Sequence, residues 1–252
     1  AIYIDSGNSE PIFKITAKGV KRPKRSKPKF IQSSSKIPFP DPDTENASLD
    51  AFLELVNIKN KHDIQLVITW MLFSFLTGVS KPVLIFQGSK GCAKSYTQST
   101  IKKIIDPSAS LLRTPPRSSN DVVTEAANNY VVSYDNIFKL SQPMQENICA
   151  IYTGAPSPHT SKKKLTDLDE ATSDSKHPMM MNGITNFITA DDLQQRCIFL
   201  HCTEIPPSDR KREQELDEIF DENKCMIFGW IVNSLIKVMK HIDSTKIPDQ
   251  LE

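Results

Sequence analysis

The sequence has no apolar run long enough to cross a bilayer. Its most apolar stretch, Ile64 to Thr77, falls short of the roughly 20 residues a spanning helix needs, and reads instead as a buried helix. A targeting segment is absent from the start, where polar and acidic residues stand in place of a charged region followed by an apolar one. The chain opens on Ala1, as an excised fragment would. Paired cysteines are missing too. Cys92, Cys149, Cys197, Cys202 and Cys225 form no CxxC pair, and their odd number and scattered placement lead us to expect reduced thiols in a cytoplasmic protein. Excess charge of one sign is also lacking: the formal net charge is +1, which leaves local patches as the only source of nucleic-acid affinity. Cys197, His201 and Cys202 could be imagined as zinc ligands, but the alternation in Cys-Ile-Phe-Leu-His-Cys reads better as a strand.

What is present is a chain of 252 residues, enough for one domain of about 150 residues with smaller additions. Residues 1–45 divide into weakly alternating segments, Ile2-Tyr-Ile4 and Ile12-Phe-Lys-Ile15, and a basic, proline-containing tract from Lys18 to Lys29. They predict a small β appendage and a linker. The tract suits a nucleic-acid backbone and a solvated connector equally well. Pro38, Pro40 and Pro42 mark the boundary, after which Ser48 is placed to cap a helix through Val56. A second helix runs from about His62 to Leu76 and ends at Gly78.

The centre of the chain is Pro82-Val-Leu-Ile-Phe-Gln-Gly88-Ser89-Lys90-Gly91-Cys92-Ala93-Lys94-Ser95, an apolar strand running into a glycine-containing loop that ends in Lys-Ser. This is the pattern of a P-loop. Backbone N–H groups from Gly88 to Lys94 can surround phosphate oxygens, Lys94 neutralises the outer phosphates, and the Ser95 hydroxyl suits Mg²⁺. Ala93 occupies a position where glycine is usual, and the expectation is that its backbone keeps a negative φ. A helix from Lys94 to Ile105, an arginine-bearing loop from Leu111 to Arg117 and a short helix from Asp121 to Asn128 follow.

The next apolar segment ends in Tyr134-Asp135-Asn136. A carboxylate closing a strand beside the P-loop strand is where a Mg²⁺ ion is held, which makes Asp135 the candidate. After a helix from Leu140 to Thr153 comes a Pro- and Ser-containing loop with Lys162, Lys163 and Lys164. These three lysines fit a phosphate backbone or a solvated charge run. The strand His177 to Asn182, a short helix Thr189 to Arg196 and the strand Cys197 to Cys202 complete the core, residues 46–205. Residues 206–252 predict two helices, about Asp209 to Asn223 and Cys225 to His241, forming a helical lid.

The order of strand and P-loop, strand and Asp135-Asn136, strand and Asn182, then helix and Arg196 resembles the AAA+ ATPases, and in particular the superfamily 3-like replication helicases of viruses, phages and plasmids. Runs such as Leu112-Arg-Thr-Pro-Pro-Arg117, Val131-Val-Ser-Tyr-Asp135-Asn136 and Asp192-Leu-Gln-Gln-Arg196 are similar to ATP-binding proteins of prophages and mobile elements, often joined to a primase domain. The resemblance implies an α/β P-loop NTPase fold with a mainly parallel central sheet and an ATP-dependent DNA helicase that works as a hexameric ring on single-stranded DNA. ATP and Mg²⁺ would be its cofactors, and no membrane would be involved. Gly88 to Ser95 would be the Walker A loop, Asp135 the Walker B carboxylate beside Ser95 on the metal, Asn182 the water-orienting sensor and Arg196 a finger reaching a neighbouring subunit. Lys162 to Lys164 would lie on the DNA-contacting hairpin. Asn136 stands where many AAA+ proteins carry a glutamate, so either Asp135 and Asn182 position the water without a strong base or another acid such as Glu125 is recruited. The alternative is a nucleotide-gated initiator or assembly switch that hydrolyses ATP slowly or not at all. A P-loop kinase of small molecules fits less well, because it has no need of Arg196.

Overall fold

The computed structural model describes residues 1–7, 12–23, 30, 35–155 and 176–245. At its centre is a four-stranded sheet made of β4 (Val83–Gln87), β5 (Val132–Tyr134), β6 (Met179–Gly183) and β7 (Cys197–His201), with spatial order β5-β6-β4-β7. Every pairing in it is parallel, with Leu84 opposite Met180, Val132 opposite Met179 and Val83 opposite Cys197. The four strands therefore end on one edge, and the loops that leave them meet there.

Parallel sheets need both faces covered, which explains why β4 is apolar along four consecutive residues instead of alternating with polar ones. Its pleat sends Leu84 and Phe86 into one core and Val83 and Ile85 into the other. The second core is closed by α4 (Ser119–Asn128) and α5 (Gln142–Thr153), through Val122, Ala126, Ile148 and Ile151. The first is closed by α1 (Asp50–Leu55), α2 (Lys61–Ser74) and α3 (Lys94–Ile105). A single turn of helix, α6 (Asp191–Gln194), leads into β7.

The C-terminal region differs from expectation twice. It forms one helix, α7 (Glu213–His241), of 29 residues, where two were predicted. Asn223 and Lys224 carry neither the fixed φ of proline nor the freedom of glycine, and Asn223 donates its side-chain amide back to Ile219 O at 2.8 Å, so nothing interrupts the helix. Nor is α7 a lid. Phe220, Ile227, Phe228, Ile231, Val232 and Leu235 are buried in the first core, and Gly229 lets the backbone of Asp43 approach so closely that an added Cβ would lie 1.9 Å from its carbonyl oxygen.

The N-terminal residues form an antiparallel three-stranded sheet, β1 (Ile2–Ile4), β2 (Phe13–Thr16) and β3 (Gly19–Lys21). Its inner face, Ile2, Ile4, Phe13, Ile15 and Val20, packs into the same core as α7, where the Phe13 ring meets Phe228 edge-on at 5.7 Å. This sheet and α7 thus share one core with α1 to α3. No helix among the described residues is long and apolar enough to cross a membrane.

Candidate functional site

The loop between β4 and α3 is shaped by residues that tolerate close backbone approach. At Gly88, with φ +154°, a Cβ would fall 2.4 Å from the Cys202 carbonyl oxygen, and at Gly91, with φ +86°, it would fall 2.9 Å from Arg210 Nη2. Both positions therefore require glycine. Ala93 corrects the sequence expectation: its backbone is left-handed, at φ 53° and ψ 30°, the conformation a glycine would have adopted. An alanine held there costs about 1–2 kcal/mol, so the rest of the loop imposes the geometry.

Asn57, which the sequence reading passed over, does part of that imposing. Its side-chain amide donates to Cys92 O at 3.0 Å and Thr203 O at 2.6 Å, and its backbone N–H donates to Thr97 Oγ1 at 3.1 Å. Helix α3 then starts at Lys94 with no side-chain cap and no acid in its first turn, leaving its leading N–H groups free for an anion. Lys94 is buried and its ammonium donates to Gly88 O and Ser89 O, both at 2.7 Å. Among the described residues no carboxylate pairs with it.

Across the cavity, Asp135 Oδ1 accepts from Ser95 Oγ at 2.6 Å and from Asn182 Nδ2 at 2.6 Å. Asp135 is 40 residues from Ser95 and 47 from Asn182 in the sequence, and the parallel sheet brings the three side chains together at its edge. Asn136 has a positive φ of 55°, and its backbone N–H donates to Asn182 Oδ1 at 2.8 Å. Its side chain is exposed on the cavity wall.

A second residue missed in the sequence holds this group in place. Gln98, fully buried one turn after Lys94, accepts from Asn182 Nδ2 at 2.9 Å and donates to Ser133 Oγ at 2.7 Å and Tyr134 O at 3.0 Å. Thr97, Thr100 and Lys102 of the same helix are buried as well, so a buried polar side chain on α3 did not by itself single out Gln98. The cavity enclosed by these groups has a volume of about 470 Å³ and is lined by Lys90 to Ser95, Asp135, Asn136 and Asn182, with Glu213 from the start of α7 as its second carboxylate. Ser89 sits behind it, its carbonyl facing Lys94.

Glu125 does not join the site: it pairs with Arg113 at 3.5 Å and accepts from Asn129 Nδ2 at 2.9 Å, and it lies away from the cavity. Arg196 is at the far end of the sheet, where its carbonyl accepts from Val83 N at 2.8 Å. Its guanidinium donates to Asp192 O at 2.5 Å and to the Asp192 carboxylate, and it lies 5.5 Å over the Tyr152 ring. One cation is thus on the loop and the other about five strand residues away, roughly 16 Å along β4. Lys162, Lys163 and Lys164 lie outside the described residues.

Comparison with known proteins adds two findings. Among solved structures, the apo C-terminal region of NrS-1 is similar at a TM-score of 0.50 and 14% identity, over 85% of this chain and 54% of that one. JCV helicase with a bound inhibitor gives a TM-score of 0.40 and 10% identity, over 80% of this chain and 62% of that one. This chain therefore spans about half the length of the NrS-1 region, with which it shares a fold. No curated protein matches the sequence. The model of one protein family does match, from residue 49 to residue 252, which takes in the loop, Asp135, Asn182 and α7. The chain belongs to the family of actinomycete integrative conjugative element replication proteins.

Proposed function

We propose that this replication protein is an ATP-driven DNA helicase or translocase, with residues 88–95 as its P-loop and the cavity at the sheet edge as its nucleotide site. One observation carries the reading: the buried ammonium of Lys94, with no carboxylate partner among the described residues, faces the same cavity as the Ser95–Asp135 pair. The residues fit ATP and Mg²⁺ on three counts. Lys94 is a cation held by two backbone carbonyls and the Cys92 sulfur with no carboxylate among the described residues, the N-terminus of α3 is uncapped, and Ser95 and Asp135 supply the oxygen donors a hard cation prefers. Bound Mg²⁺ would neutralise charge developing across the transferred phosphoryl group.

In this reading Lys94 leaves the Gly88 and Ser89 carbonyls to bind the outer phosphates, while the α3 N–H groups hold the inner ones. Asn182 orients the attacking water, itself kept in place by Gln98 and the Asn136 N–H. Asn136 is an amide and cannot take a proton from water, so hydrolysis rests on positioning and on charge stabilisation. Arg196, too far along its own sheet to reach the loop, serves the site of a neighbouring subunit in a hexameric ring. Lys162 to Lys164 track single-stranded DNA, and a primase or polymerase domain on the same polypeptide would supply the strand-synthesis step.

The second reading, a nucleotide-gated assembly switch, is favoured by one feature, the amide of Asn136 in the place of an acid. ATP turnover with and without single-stranded DNA separates the two. A motor should be stimulated by DNA, and Arg196→Ala should bind ATP normally yet lose about 10³-fold in turnover. Mixing Arg196→Ala with Lys94→Ala should restore part of the activity through interfaces that join one intact loop to one intact arginine. Full turnover by Arg196→Ala alone removes the finger role, and DNA-independent slow turnover favours the switch.

A further inference from the structure

The N-terminal sheet lies outside residues 49–252, which match the family model, and nothing in the nucleotide site uses it. Its inner face is buried against α7, and its outer face carries one cross-strand row: Tyr3 opposite Lys14 and Lys14 opposite Lys21. Lys18, exposed in the turn between β2 and β3, adds a third ammonium beside this row. Like charges directly opposite each other on one face of an antiparallel pair destabilise it. Nearby cations of this chain do have acidic partners: Arg22 pairs with Asp41 and Lys36 with Asp5. Lys14, Lys18 and Lys21 have no carboxylate partner among the described residues, and the Lys14 ammonium rests 5.7 Å from the Tyr3 ring.

We infer that this face is a second nucleic-acid contact, binding the phosphate backbone of DNA through Lys14, Lys18 and Lys21. A row of cations with no carboxylate partner among the described residues is complementary to a line of phosphates, and adjacent strands about 4.8 Å apart place Lys14 and Lys21 within reach of successive phosphates. The membership of the chain in a replication family makes DNA the polyanion at hand. The contact is to backbone and carries no base readout, so it holds the strand without selecting sequence. It requires no nucleotide and stands apart from the reading of the loop at Lys94.

The test uses the full chain without nucleotide and follows the anisotropy of a fluorescent oligothymidine and of a labelled duplex across a salt series. Lys14→Ala/Lys18→Ala/Lys21→Ala should lose about tenfold in affinity and reduce the slope of log K against log salt by about two for the single strand, three contacts at roughly 0.7 each. The Lys→Arg triple variant should keep both, which ties the effect to charge. Its melting temperature, and that of the alanine variant, should not fall, because the like-charge pair opposes the fold rather than supporting it. Loss on the single strand alone or on both forms supports the inference and identifies the preferred form. Unchanged slope and affinity on both DNAs overturns it, as does lost binding to polyglutamate with DNA binding intact, which would mark the face as a site for an acidic protein.

Discussion

Helices α3 and α4 both follow a loop and both pack against the central sheet, yet their N-termini are finished in different ways. At α4, Asp121 N donates to Ser118 Oγ at 3.3 Å while Ser118 N donates to the Asp121 carboxylate at 3.0 Å, a reciprocal capping box. At α3 the preceding residue is Ala93, whose side chain has no polar atom to offer, and the first turn contains no acid. A chain able to cap one helix fully has left another open toward a cavity of about 470 Å³ with a buried lysine beside it. The capped end serves the fold, and under the proposed function the open end is the place where an anion would bind.

The most severe way to break that contrast is Lys94→Ala. Removing the fixed cation from an open helix end should lower affinity for a fluorescent ATP analogue by about 100-fold or more, since truncating one partner of a buried charged contact costs roughly 2–5 kcal/mol. Titration of the analogue into both proteins measures it directly. Equal affinities would mean that the open end of α3 is a structural accident.

A milder test acts on the capped end. Ser118→Ala should cost about 1 kcal/mol of stability and lower the melting temperature by about 2–4 °C, while leaving nucleotide affinity unchanged. The pH dependence has a defined sign. Backbone N–H from Arg117, followed by the Ser118 hydroxyl, holds the Asp121 carboxyl below its ordinary value of 3.8. Its contribution is therefore complete above that value and is lost as the pH falls through the lower folded-state value. Thermal melts of the native protein and Asp121→Asn should converge in that acid range and separate above it. A gap that widens on acidification would assign the stabilisation to another group.

The contrast also shows what a sequence can disclose. Lys94 to Ile105 was legible as a helix because strand, loop and Lys-Ser follow one another within a few residues, and α3 has those bounds. Asp135 and Asn182 were legible as polar residues at strand ends, but the expectation that the Asp135 strand lies directly beside the P-loop strand is corrected: β6 separates β5 from β4, and Asp135 meets Ser95 across the end of β6. The order β5-β6-β4-β7 was not legible, because parallel pairing depends on crossovers that leave no local mark. Gln98 and Asn57 were missed for the same reason: each acts only on backbone and side chains thirty or more positions away. The join at Asn223 was misread in the opposite sense, two helices being inferred where no residue interrupts one. The Lys162 to Lys164 reading falls outside the described residues and is carried only by sequence.

Ala93 gives the smallest effect and the finest test, because the loop that keeps α3 open also holds this residue at φ 53°. Two opposing terms decide the outcome of Ala93→Gly. Relief of the left-handed strain is worth about 1–2 kcal/mol, and the added freedom of glycine in the unfolded chain takes back about 0.4–1 kcal/mol. The difference leaves the variant more stable by up to about 1.6 kcal/mol, a rise of a few degrees in melting temperature for a chain of this size. Ala93 makes no side-chain hydrogen bond and its backbone already has the glycine geometry, so affinity for the ATP analogue should change by less than about threefold. A rise in melting temperature with steady affinity means that the strain belongs to the loop itself. A fall would show that Ala93 is not strained in solution, and that its backbone takes the negative φ its side chain prefers until an anion arrives to turn it.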